Sequence, residues 1–101
     1  MRITKSDVIQ TAADIADKNG LSNVSLKAVA ESLNIRTPSL YNHIDSLEAL
    51  LREIAHNGMK TMNERMMQAA IGKIGDDAIK SVGITYLNYM IEHPGIYETI
   101  Q

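Results

Sequence analysis

Apolar positions in this chain recur every three or four residues and almost never alternate, a spacing that predicts amphipathic helices rather than strands. The first helix is expected from about Lys5 to Lys18, where Val8, Ala12, Ile15 and Ala16 share one face. Thr4 with Asp7 fits a capping box, and Asn19-Gly20 supplies a stop because both residues tolerate left-handed backbone. A second helix follows from Leu26 to Leu33, capped by Ser25, with Val29, Ala30 and Leu33 turned inward and Asn34 breaking it. The third is short. Thr37 is expected as its cap and Pro38 sits where a missing N–H costs nothing; the helix continues through Leu40 and Tyr41 to about Ile44.

Asp45 or Ser46 begins a fourth helix, in which Leu47, Leu50, Leu51, Ile54, Gly58, Met62 and Met66 keep helical phase toward Ala70. Gly72 and Gly75 mark a loop, and Asp76 or Asp77 is expected to cap a fifth helix whose inward stripe reads Ile79, Val82, Gly83, Tyr86 and Met90. His93-Pro94-Gly95 ends it, and Pro94 opens a further helix carrying Ile96, Tyr97 and Ile100. No stop signal precedes Gln101, so the chain reads as part of a longer protein. Repeats and low-complexity segments are absent.

Composition narrows the classes. The 101 residues are 45% hydrophobic and 22% charged, ordinary values for a soluble globular protein. With no Cys there is no disulfide framework, thiolate chemistry or Cys-based metal site. No apolar run approaches the roughly 20 residues that span a bilayer, and Met1-Arg2-Ile3-Thr4-Lys5 is no secretory signal, so no membrane partner is expected and the default location is cytoplasmic.

The informative stretch is Ser25 to Leu51. Asn34-Ile35-Arg36 joins two short helices by a turn that sets them at a steep angle, the helix-turn-helix geometry in which the second helix enters the DNA major groove. Asn34 stands where the backbone needs positive φ, and Ile35 plugs the turn into a core shared with Ala30 and Leu40. The outer face of the third helix then carries Arg36, Thr37, Ser39, Tyr41, Asn42 and His43, donor-rich side chains of the kind that meet base edges and phosphates.

Val8-Ile9, Ala12-Ala13, Gly20, Val29-Ala30, Ile35 and above all Ser39-Leu40-Tyr41-Asn42-His43 fall at the spacing of the TetR family of transcriptional regulators. Leu47-Glu48-Ala49-Leu50-Leu51 resembles that family's opening of helix 4, and the resemblance covers roughly residues 4 to 55. His93-Pro94-Gly95-Ile96-Tyr97 looks like a phrase common in one branch of its regulatory domains. The resemblance implies an all-α protein: a three-helix, homeodomain-like bundle at residues 1–46, then a long linking helix and a partial helical regulatory domain at residues 47–101. It also implies a ligand-responsive repressor that binds a palindromic double-stranded DNA operator as a homodimer, with a small-molecule effector held by the full-length protein. Arg36, Thr37, Ser39 and Asn42 would face bases or nearby backbone; Tyr41, His43, Ser25 and Lys27 would hold phosphates.

Two departures stand out. Asn34 replaces a usual Gly, and Leu47 replaces a usual phosphate-binding Lys. The whole chain has a net charge of -2, and residues 1–55 hold six Lys and Arg against seven Asp and Glu, a net charge of -1, where DNA-binding domains are commonly basic. Modest non-specific affinity and a shallow salt dependence are expected. The same charge leaves room for a second reading, a protein-interaction module on a helix-turn-helix scaffold that has lost DNA affinity.

The second half offers Met62, Met66, Tyr86 and Met90 as residues of an effector pocket, with core filling as the plainer account. A small enzyme or ligand carrier built on this half is a third reading, but no nucleophile–base pairing, Gly-rich phosphate loop or nucleotide fingerprint accompanies it. His43, His56 and His93 are too scattered for a metal site, and Asp76-Asp77 reads as a cap rather than an acid pair. Neither catalysis nor a cofactor is expected.

Overall fold

The computed structural model describes residues 2–99, and its regular elements are all helical. α1 spans Lys5–Asn19, α2 Leu26–Ser32, α3 Thr37–Leu40, α4 Leu47–Ala70, α5 Gly75–Glu92 and α6 Pro94–Thr99, with a 3-10 turn at Leu21–Asn23. The caps explain the boundaries. Thr4 Oγ1 accepts from the Asp7 N–H at 3.2 Å while Asp7 Oδ2 accepts from the Thr4 N–H at 2.9 Å, so two orphan donors of α1 are satisfied reciprocally. Ser25 does the same service for α2 through the Ala28 N–H at 3.0 Å, and Ser46 for α4 through the Ala49 N–H at 3.1 Å.

α2 ends in a Schellman arrangement. Asn34 adopts φ 57°, its N–H donates to the Glu31 carbonyl at 3.1 Å, and the Ile35 N–H reaches the Ala30 carbonyl at 3.0 Å. α3 differs from its expected form. Its regular part covers only four residues, and the chain reaches Ile44 through tighter bonds from Tyr41 to Pro38 (3.2 Å), Asn42 to Ser39 (3.3 Å) and His43 to Leu40 (2.9 Å). Thr37 is already helical, Arg36 occupies the cap position, and no side chain caps the helix.

Val8, Ala12 and Ala16 line α1 with no exposed surface, and one apolar core runs from them through Val29, Leu40, Leu50 and Ile54 to Tyr89 and Ile96. α1 therefore packs against α2 and against α4 and α6. The α6 contact is close: a Cβ on Gly95 would collide with the backbone and Cβ of Ala16. Asp17, at the end of α1, receives the Gly95 N–H on Oδ1 at 2.9 Å and meets His93 Nδ1 through Oδ2 at 2.8 Å.

α5 corrects the expected stripe by one residue. Ile79 is 72% exposed and Gly83 and Tyr86 are exposed, while Ala78, Ser81, Val82, Thr85 and Tyr89 turn inward and Tyr89 is buried. The cause is that apolar residues lie on more than one side of α5, so periodicity underdetermines its phase. The face that packs on α4 is the one that holds Tyr89, which meets the His93 ring at a tilt with centroids 4.6 Å apart. Thr85 tolerates the inward face because its hydroxyl donates to the Ser81 carbonyl at 2.8 Å. Ile79, Ile84, Leu87 and Ile91 are left on the surface. Asp76 and Asp77 lie in the first turn of α5, favourable to its dipole, and neither caps it. Ile100, expected on α6, lies outside the described residues.

Gly95→Ala is expected to cost about 1–3 kcal/mol from overpacking against α1, read as a lower urea midpoint at unchanged slope. Asn34→Ala is expected to lose about 1–2 kcal/mol, because the left-handed backbone strains a Cβ that cannot hydrogen-bond locally, whereas Asn34→Gly should hold or gain stability in the same assay.

Candidate nucleic-acid interface

The outward face of α3 is set by what anchors its inward one. Leu40 is fully buried, Ile44 nearly so, and Ile35 packs on the same core, which pins the turn and the helix start at two points. Arg36, Ser39, Tyr41 and Asn42 are consequently exposed, with Thr37 and His43 half-buried beside them. Tyr41 is 56% exposed, so much of its side chain is available to a partner.

α2 packs directly on α3. Lys27 on its first turn is exposed, and Ser25 is half-buried with its oxygen accepting the Ala28 N–H. A hydroxyl that accepts from the backbone keeps its own O–H to donate, so Ser25 can cap α2 and meet a phosphate at once. None of the eight residues expected from the sequence to touch DNA is buried.

The fold adds two cations that the sequence reading missed. Lys5 at the start of α1 and Arg52 in α4 share a polar crevice with His43, Asp45 and Glu53. Lys5 lies 3.6 Å from Glu53, an exposed pair that mutes its charge only partly. No local pattern flags Lys5 or Arg52, because tertiary packing alone brings residues 5, 43 and 52 together. Leu47 is half-buried and packs against the core, so the position read as a lost phosphate contact is spent on apolar burial.

The proposed effector residues sit elsewhere. Met62 is buried, Met66 and Met90 are half-buried and Tyr86 is exposed, all on α4 and α5, which pack together. None of the four lines the polar cavity between α1, α4 and α5. Among the described residues no three His, Asp or Glu side chains gather as a metal site, and no helix is long and apolar enough to cross a membrane.

No family model matches the chain. It is 38% identical over 96 residues, 95% of its length, to an uncharacterized helix-turn-helix transcriptional regulator of Bacillus subtilis, YobS, of which it covers 50%. It is 29% identical over 96 residues to a second such regulator, Rv0681 of Mycobacterium tuberculosis, covering 44% of it. With the Escherichia coli helix-turn-helix transcriptional regulator UidR it shares 27% identity over 89 residues, 88% of the chain and 40% of that protein. The chain is similar to helix-turn-helix transcriptional regulators. It spans about half the length of the curated relatives it matches, and the similarity to YobS extends over 95% of the chain, well past the helix-turn-helix.

Ser25→Ala is expected to lose about 1 kcal/mol of stability with its cap. Lys27→Ala, two residues on and exposed, should stay within about 0.5 kcal/mol of the parent. Thermal unfolding of both variants distinguishes the structural role from the surface one.

Proposed function

We propose that the protein is a DNA-binding transcriptional regulator that reads an operator through α3. The observation carrying this is the solvent-facing run from Arg36 to His43, donor-rich and centred on the exposed Tyr41, held rigidly by buried Leu40 and Ile44 beneath it. Its similarity to helix-turn-helix regulators over nearly its whole length supports the same reading.

The finer reading is a TetR-type repressor. Ser39-Leu40-Tyr41-Asn42-His43 and the placement of the long α4 after the third helix support it. On this reading two copies place α3 in successive major grooves of a palindromic operator in the cytoplasm. A small effector in the regulatory half would then favour one spacing of the two helices by binding it more tightly. The exposed apolar residues of α5 support further burial in the assembled regulator. The mixed charge around His43, with Asp45 and Glu53 beside Lys5 and Arg52, favours an interface that relies on geometry and hydrogen bonds more than on bulk attraction.

Band-shift or anisotropy measurements on the full-length protein and its own upstream DNA test this. Selective binding that weakens with salt and falls about tenfold or more in Tyr41→Ala is expected. Leu47→Lys should tighten binding and steepen the logarithmic salt slope by about 1. Binding without sequence preference, or a Tyr41→Ala protein that binds as well as the parent, would sink the α3 reading and favour a protein-interaction module instead.

A further inference from the structure

Between α1, α4 and α5 lies a cavity of about 260 Å³, lined from α1 by Ser6 and Gln10, from α4 by Asn57 and Thr61, and from α5 by Tyr89. Tyr89 is only 4% exposed, and among the described residues its hydroxyl has no hydrogen-bond partner. No buried side-chain oxygen or nitrogen among the described residues is sealed off without a partner, so the Tyr89 hydroxyl is open to contact from outside, and Tyr89 lines this cavity. A phenol hydroxyl free of partners within the chain can donate to and accept from a polar molecule in the cavity.

The charges at the cavity decide what kind of molecule. Asp17 has spent both oxygens, on His93 and on the Gly95 N–H. Arg65 lies over the Tyr89 ring, 5.3 Å from its centroid, and pairs with Glu92 at 3.5 Å. Both charged groups at the cavity are thus already engaged within the protein. What remains unspent is neutral: the hydroxyls of Ser6, Thr61 and Tyr89 and the amide of Asn57, together with the Gln10 amide, which gives one N–H to Asp14 at 3.0 Å. Hydroxyls and amides both donate and accept, and so match a ligand whose groups do the same. An anion would compete with Glu92 for Arg65, and a cation would compete with His93 and the Gly95 N–H for Asp17.

We propose that this cavity binds a small, neutral, multiply hydroxylated molecule, a polyol or sugar, with Tyr89 as its buried hydrogen-bonding partner. Burial pushes the Tyr89 hydroxyl above its ordinary range, against the lowering effect of Arg65 and with a further rise from Asp17, which keeps it a neutral donor in the physiological range. The site lies where α1 of the DNA-binding bundle faces α4 and α5. A molecule held there touches both halves, and it differs from the Met- and Tyr-lined pocket expected on α4 and α5. Its existence does not depend on α3 reading DNA.

The test is protein-observed NMR on the whole, isotopically labelled protein without DNA, titrated with myo-inositol and D-glucose and, separately, with sodium acetate. Saturable shifts with at least one of the two polyols, centred on Ser6, Gln10, Asn57, Thr61 and Tyr89, are expected. Tyr89→Phe keeps the ring against Arg65 and His93 and should weaken that binding about tenfold. Asn57→Ala, on an exposed position of α4 where folding is not at stake, should weaken it too. Shifts that only rise linearly with both polyols, acetate saturating in their place, or a Tyr89→Phe protein that binds the polyol as tightly as the parent would each overturn the proposal.

Discussion

The approach of α6 to α1 is limited by atoms. Gly95 rests on the backbone of Ala16, and only a residue without a Cβ fits that gap. Once the gap is closed, Asp17 finds the first free N–H of α6 and the His93 ring within reach, and a single carboxylate ties the last turn of one helix to the first turn of another. α5 is tied in as well, because Tyr89 meets the His93 ring at a tilt and Arg65 of α4 lies over the Tyr89 ring. Three helices that are distant from α1 in sequence are thereby locked to the helix that also packs against α2.

Elsewhere on α1 the arrangement is held by burial. Val8 and Ala12 offer a smooth apolar stripe, Leu40 and Leu50 fill it, and the Schellman turn at Asn34 delivers Ile35 to the same core. A turn with satisfied carbonyls and an anchored apolar residue after it has little freedom to change its angle. α2 and α3 are short elements that would not persist alone, and they gain their definition from this packing.

Much of this was legible in the sequence because it depends on neighbours in the chain. The Thr4–Asp7 box, the Ser25 and Ser46 caps and the positive φ of Asn34 are local chemistry, and each is where spacing placed it. The residues facing outward on α3 were equally legible, since a single buried Leu40 fixes the phase of so short a helix. The phase of α5 was not, because its apolar residues lie on more than one side and its inward face is chosen only where it packs on α4. Nor could local pattern show that Lys5 and Arg52 would join His43, or that Asp17 would reach across 78 positions of sequence to Gly95. Those are consequences of tertiary closure, which no window of a dozen residues contains.

The short α3 has one more consequence. Its shape is maintained from beneath, by Leu40, Ile44 and Ile35, while Arg36, Ser39, Tyr41 and Asn42 are exposed. Surface positions of that kind accept substitution at little thermodynamic cost. The reading head is therefore decoupled from its mounting: descendants of this sequence can exchange the residues that touch a target and acquire new targets, without first having to rebuild the bundle that presents them.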